Sequence, residues 1–193
     1  AIVGHQVDDE LLGRIAEAAT RLLPEIEAGV PRKRDVEHLK RAVFAGVPVP
    51  DGALIEHFPD CVVSGSANPL GVNIKVHRQG GDAVARVTLG HAFEGAPRRA
   101  HGGIVAAIFD DVLGYVLAVN TVPAFTGRLT VSYLAPTPMG AEIEFRARLL
   151  RRQGRKLFME AEANSGGHRV AQAEGVFIAI PPERLGLPPE PAA

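Results

Sequence analysis

The feature that most constrains this chain is one apolar stretch, Ile104 to Val119, broken only by Asp110, Asp111, Gly114 and Tyr115. It is too long for a strand, and a helix that is apolar nearly all round has to be buried inside something. The flanking sequence supplies the cover. Leu70, Val72, Ile74 and Val76 alternate with Gly71, Asn73, Lys75 and His77; Gln79-Gly80-Gly81-Asp82 reads as a hairpin turn, and Ala83 to Leu89 as the returning strand. Beyond the helix the period of two resumes in Leu129, Val131 and Tyr133. It continues in Ile143, Phe145, Ala147 and Leu149 against Glu142, Glu144, Arg146 and Arg148, then in Leu157, Met159 and Ala161, and closes over residues 168–180. Two strands, a helix over 102–119 and four more strands predict an α+β domain whose six-stranded antiparallel sheet wraps a central helix.

The N-terminal third has a different period. Leu11, Leu12, Ile15, Ala19, Leu22, Leu23 and Ile26 recur at three and four behind Asp8, Asp9 and Glu10, the pattern of an amphipathic helix that Pro24 is expected to kink or end. Pro31-Arg32-Lys33-Arg34 leads into a weaker helical pattern through Leu39 and Val43, and Pro48, Pro50, Asp51 and Gly52 mark a break. Residues 1–60 therefore read as a helical extension, 61–180 as the main domain and 181–193 as a Pro-rich tail. A net charge of −1 gives no electrostatic footprint for nucleic acid or an anionic membrane. No uninterrupted apolar run reaches the length of a membrane span, and the first residues lack the pattern of a signal peptide. With one cysteine, Cys61, there is no disulfide framework and no zinc-ligand spacing, so a reducing cytoplasm is the expected compartment.

Two adjacent aspartates inside a buried helix need a reason, because an unpaired buried carboxylate is costly. They lie about 100° apart on the helix and face different directions. Asp110 shares its stripe with Gly103, Ala106, Ala107 and Gly114, all small, whereas Asp111 shares its own with Ala107, Ile108 and Tyr115. Small neighbours leave space for a ligand or for close approach of the sheet, and the sequence leaves both open. Just before the helix, His101-Gly102-Gly103 places bare backbone N–H groups at the positive end of the helix dipole, where they can hold a developing oxyanion. Alone, that tripeptide is also compatible with plain structural glycines.

Three motifs in order carry a family resemblance. They are Gly95-x-Pro97-x-x-x-His101-Gly102-Gly103 with Asp110 nine residues past the histidine; Thr126-x-x-Leu129-x-Val131-x-Tyr133-Leu134-x-Pro136-x-Pro138-x-Gly140; and Cys61-x-x-Ser64-Gly65-x-x-Asn68-Pro69-x-Gly71. Together they resemble hotdog-fold acyl-CoA thioesterases of the phenylacetate-pathway (PaaI-like) type over residues 61–180. The resemblance implies hydrolysis of an acyl-CoA, or less readily an acyl-carrier-protein, thioester. Asp110 would be general base or nucleophile, the Gly102 amide would polarise the carbonyl, His101 would orient the thioester, and Thr126 would reach in from the neighbouring subunit. Gly103 and Asn68 would contact substrate. No cofactor is implied beyond the coenzyme A of the substrate, and the expected assembly is a homodimer or a dimer of dimers. Ser64 stands where some relatives carry a second cysteine, and Arg98-Arg99 where a small residue is usual.

Arg151, Arg152 and Arg155 sit in a basic hairpin tip, Arg151-Arg152-Gln153-Gly154-Arg155-Lys156, that can bind coenzyme A phosphates or simply be a solvated turn. His57-Phe58-Pro59-Asp60 superficially resembles the histidine motif of hydroxyacyl-carrier dehydratases but lies far upstream of the helix, so it reads as a loop. A dehydratase or hydratase on the same fold, or an acyl-CoA-binding sensor without turnover, are the alternative functions. No Gly-x-Ser-x-Gly elbow and no helical histidine pair supports other hydrolase classes.

Overall fold

A computed structural model describes residues 2–31, 48–55 and 58–185. The expected second helical pattern around Leu39 and Val43, with Arg32-Lys33-Arg34, lies outside them, as do His57 and the end of the Pro-rich tail. The chain divides into two compact units, 1–35 and 36–193.

In the first unit, helix α1 (Asp9–Glu27) starts where the Asp8 carboxylate accepts the Leu11 N–H at 2.7 Å, and Asp9 and Glu10 complement the dipole in its first turn. It runs past Pro24 to Glu27, and none of its residues is buried within this unit, leaving Leu11, Leu12, Ile15, Leu22, Leu23 and Ile26 exposed.

The second unit is the hotdog arrangement. Strands β1 (Lys75–Gln79) and β2 (Asp82–Thr88) precede helix α2 (Gly102–Val119), and β3 (Ala124–Tyr133), β4 (Glu142–Gln153), β5 (Lys156–Ser165) and β6 (His168–Ala179) follow. All pairs are antiparallel, in the order β1-β2-β4-β5-β6-β3, so β3 is an edge strand. The inner rows are apolar, as in Ile143, Phe145 and Ala147 of β4 and Leu157, Met159 and Ala161 of β5. The outer rows carry cross-strand ion pairs such as Arg86–Glu144 at 2.6 Å, Arg146–Asp82 at 3.0 Å and Arg148–Glu160.

Helix α2 is long and apolar enough to cross a bilayer by length and composition, yet its apolar residues are spent on the sheet. Val105, Ile108, Phe109, Val112, Leu113 and Val116 are fully enclosed, and the Phe109 ring meets Phe145 of β4 edge-on at 5.1 Å. One departure from the expected pattern concerns the first strand. The alternation beginning at Leu70 does not all enter the sheet: β1 starts at Lys75, because Asn73 adopts φ 58° and the Val72 and Ile74 amides bond to the carbonyls of Val62 and Val63 at 3.0 and 3.1 Å. Leu70 is exposed, while Ile74 and Val76 are core residues. A second finding is that Ile55, in the stretch before Cys61, is buried in the core and bonded to β1 through Ile55 N–H and the Val76 carbonyl at 2.8 Å.

Because Phe109 holds the helix to the middle of the sheet, Phe109→Ala should destabilise the domain by about 3–5 kcal/mol. Urea unfolding read by circular dichroism checks this; a loss below about 1 kcal/mol would mean the cavity collapses or the ring is not central to the core.

Candidate active site

The N-terminus of α2 is built by its own sequence. His101, in extended conformation at φ −63° and ψ 127°, is the N-cap, and its Nδ1 accepts the Gly103 N–H at 3.0 Å. An accepting Nδ1 places the ring proton on Nε2. The His101 carbonyl takes the N–H groups of Ile104 and Val105 at 2.9 and 3.2 Å. Of the first-turn donors, the Gly102 N–H alone has no acceptor among the described residues. Its residue is clamped from the other side: the Tyr133 hydroxyl donates to the Gly102 carbonyl at 2.7 Å.

Two turns along, the helix surface is open. The expectation that α2 is buried all round needs correcting: Gly103 and Asp110 are exposed and Ala106, Ala107 and Gly114 half-buried. The sheet curls around the other faces and stops at its β3 edge, so the small-residue stripe of Asp110 is the face that the sheet leaves uncovered. Here Thr126 Oγ1 donates to Asp110 Oδ1 at 2.9 Å. That corrects the expectation that Thr126 comes from a neighbouring subunit. The loop after α2 is short, and β3 runs back beside the helix, so the chain's own Thr126 reaches its own Asp110.

Asp111 points elsewhere. Its Oδ1 is bonded by the Cys61 thiol at 3.5 Å, while its Oδ2 and the Ser64 hydroxyl are enclosed without a hydrogen-bond partner. Burial pushes the Asp111 carboxyl above its ordinary range; the Ser64 hydroxyl beside it, outside good bonding geometry, and the Cys61 thiol offset part of that rise. Adjacent carboxylates thus have opposite environments, one open and held by a hydroxyl, the other enclosed.

The remaining candidates are engaged locally. Asn68 uses Nδ2 on the Asp60 carbonyl at 3.2 Å and Oδ1 on the Leu70 N–H at 2.9 Å, closing the loop before β1. The Gly103 N–H is occupied by His101. At the β4–β5 tip Arg151 stacks on Phe158 at 3.6 Å, Arg152 Nε donates to the Gly154 carbonyl at 3.1 Å and Arg155 Nε to the Ala179 carbonyl at 3.0 Å. Among the described residues no group of three His, Cys, Asp or Glu side chains is placed to hold a metal. The role of Tyr133 was missed in the sequence although its motif was visible. The available signal was its inward phase with Leu129 and Val131, ending opposite the helix start.

Residues 99–172, which contain α2 and the strands that clasp it, match the family model for the thioesterase superfamily. Over that segment the chain is similar to the thioesterase superfamily. Among curated proteins it is 30% identical over 93 residues to the mouse acyl-coenzyme A thioesterase THEM4, a match spanning 47% of this chain and 40% of that protein. A thioesterase superfamily crystal structure superposes with a TM-score of 0.76 at 23% identity, over 90% of this chain and 81% of that one. The phenylacetic acid degradation protein PaaI of Thermus thermophilus, as an Asn-to-Asp mutant, superposes at 0.51 with 29% identity, over 56% of this chain and 95% of that one. A Streptococcus pneumoniae hypothetical thioesterase protein, solved with coenzyme A, gives 0.53 at 16% identity, over 55% of this chain and 88% of that one. That pneumococcal protein has also been solved as an Asp-to-Ala and a Thr-to-Ala mutant, at positions sixteen apart.

The raised Asp111 carboxyl makes a pH prediction. The folded state holds its proton more tightly than the unfolded state, so this contribution to stability is complete at low pH and is lost as pH rises through the raised value. Asp111→Asn should therefore gain stability relative to wild type between about pH 4 and about pH 7.5. Urea midpoints at the two pH values test it, and a difference that stays flat or reverses rejects the assignment.

Proposed function

We propose that this domain hydrolyses acyl-CoA thioesters, with Asp110 supplying the negative oxygen that drives attack, directly or through a water. The observation that carries the reading is the Thr126–Asp110 hydrogen bond on the open face of α2. Thr126 occupies Oδ1 and fixes the carboxylate, leaving Oδ2 for the reaction. The thioester carbonyl would rest against the Gly102 N–H at the positive end of the helix, which stabilises its oxygen as charge develops. The thiolate of coenzyme A is a good leaving group, so a carboxylate, one or two amide donors and a dry pocket suffice. The acyl-coenzyme A thioesterase named among the relatives, and the coenzyme A bound to the pneumococcal protein, agree with that substrate class. The Asp and Thr changed in that protein have the same sixteen-residue spacing as Asp110 and Thr126.

Geometry also favours a two-chain site, divided differently from the sequence expectation. Eight helix positions separate Gly102 from Asp110, about 12 Å along the axis, whereas both groups must come within about 3 Å of one reacting centre. Two antiparallel helices related by a two-fold axis solve this, setting the partner's Asp110 beside Gly102. The open stripe of small residues allows helices to approach, and the unpaired edge of β3, with Phe125, Tyr133 and Leu134 exposed, offers further area. The basic tip fits as the phosphate site. Arg152 pairs with Leu157, Leu157 with Phe177, and Phe177 with Thr126, so Arg152 shares the cross-strand row of Thr126. Three strand spacings put it about 14 Å away along the sheet, within reach of an extended pantetheine arm.

A free-thiol assay across a panel of acyl-CoAs tests the reading. Asp110→Asn should lower kcat by about a hundredfold or more while the protein stays folded, and a folded, fully active Asp110→Asn sinks it. The divided site has its own test. Gly102→Pro removes the N–H at the first helical position, where proline is tolerated and His101 is already extended, although its Cβ lies 3.3 Å from the Tyr133 ring and moves that ring slightly. Mixing inactive Asp110→Asn and Gly102→Pro chains should restore about a quarter of wild-type activity, because about half the dimers are mixed and each holds one intact site. Asp110→Asn mixed with Thr126→Ala should restore none. Recovery in the second mixture and not the first would return Thr126 to the opposite chain's site.

A further inference from the structure

Tyr133 sits at the end of β3 remote from Thr126, and the motif that contains it says nothing of what its hydroxyl does. In the structure that hydroxyl donates to the Gly102 carbonyl at 2.7 Å, and its ring covers Gly102 so closely that a Cβ there would meet Tyr133 atoms at 3.3 Å. The carbonyl of Gly102 and the N–H of Gly103 belong to one peptide plane, and the N–H is held by His101 Nδ1 at 3.0 Å. The plane is thus pinned at both ends by side chains from two different elements. Fixing it limits rotation at Gly102, the residue whose N–H is left without an acceptor among the described residues.

The way Tyr133 arrives there is informative. Thr126 and Tyr133 are seven residues apart, an odd spacing that in a regular strand would place them on opposite faces. The pairing of β3 with β6 shifts between Thr126, opposite Phe177, and Arg128, opposite Val176, leaving Gly127 as the extra residue of a bulge. The bulge changes the phase of the strand. Ala124 and Thr126 before it, and Leu129, Val131 and Tyr133 after it, all face the helix. A side chain at Gly127 would press on Ile178 and the Val176 carbonyl at 3.0 and 3.1 Å, so glycine lets the bulge sit close against β6. One strand thereby delivers two hydroxyls to the helix, one on the Asp110 carboxylate and one on the Gly102 peptide.

We infer that Tyr133 is a positioning residue for thioester hydrolysis, holding the Gly102 peptide so that its N–H meets the substrate carbonyl, in phase with Thr126 through the Gly127 bulge. The inference rests on the hydrolase reading above. It requires no proton transfer by Tyr133.

Tyr133→Phe in the full chain is the test, since it keeps the ring on Gly102 and removes only the hydrogen bond. The clamp itself is read by the Gly103 amide nitrogen shift, which responds to hydrogen bonding at the preceding carbonyl and needs no substrate. The consequence is read by kinetics on the best acyl-CoA. Expected are a shifted Gly103 resonance, an unchanged melting temperature, kcat lowered about tenfold with KM within about twofold, and a pH profile of unchanged shape. An unmoved Gly103 resonance overturns the clamp. A moved resonance with kcat within about twofold of wild type overturns the positioning role. Loss of one limb of the pH profile overturns it too, because Tyr133 would then be a proton donor. Wild-type protein inactive across the whole acyl-CoA panel defeats the hydrolase reading instead, and the amide resonance still reports the clamp.

Discussion

One helix that is apolar nearly all round cannot be covered by a single six-stranded sheet on every side. The sheet has two edges, and it leaves the face of α2 between them open. Everything of functional interest follows from where that uncovered strip falls. It carries the small residues Gly103, Ala106, Ala107 and Gly114, and it carries Asp110. The two carboxylates on neighbouring helix positions therefore meet different physics. Asp110, on the strip, is held by a hydroxyl and free to meet a ligand. Asp111, turned into the loop that begins at Cys61, is desolvated and has only a thiol and a nearby serine to temper its charge.

The helix end and the strand edge act together as a frame. A helix N-terminus supplies a donor and a favourable dipole, but peptide groups in a first turn are not rigid unless something holds them. Here the cap from His101 and the hydroxyl of Tyr133 hold the peptide between Gly102 and Gly103 from opposite sides. The same strand secures the carboxylate two turns away. Preorganisation of this kind accelerates reactions because little has to move when charge develops.

Much of this was legible from residue order. The period of two in Ile143, Phe145 and Ala147, and the long apolar run of α2, fix strands and helix because burial on one face or on most faces leaves those patterns. What the pattern could not carry was local backbone conformation. Asn73 at φ 58° delays β1 past the point where alternation begins, and alternation alone is blind to such a residue. Likewise the openness of the Asp110 face depends on where the sheet ends, and the partner of Thr126 depends on how tightly β3 folds back. Neither is a property of spacing. Most of the candidate site residues follow from a family resemblance rather than from spacing, and several of them do local work: His101 and Gly103 cap the helix, and Asn68 closes a loop.

The bulge in β3 makes the backbone path of that strand as constrained as its composition. Pairing Gly127 in regular register instead of bulging it out would give an unbroken alternation, which as secondary structure is unobjectionable. It would also turn over everything on one side of that residue. With Thr126 fixed by the helix, Arg128, Thr130 and Ser132 would rotate toward the core and Leu129, Val131 and Tyr133 toward solvent. With the core residues fixed instead, Thr126 would swing off Asp110. A chain with every named side chain intact would then lack either its core or its anchored carboxylate, so what this strand has to preserve is the backbone path at one residue, which no change of side chain elsewhere in it can replace.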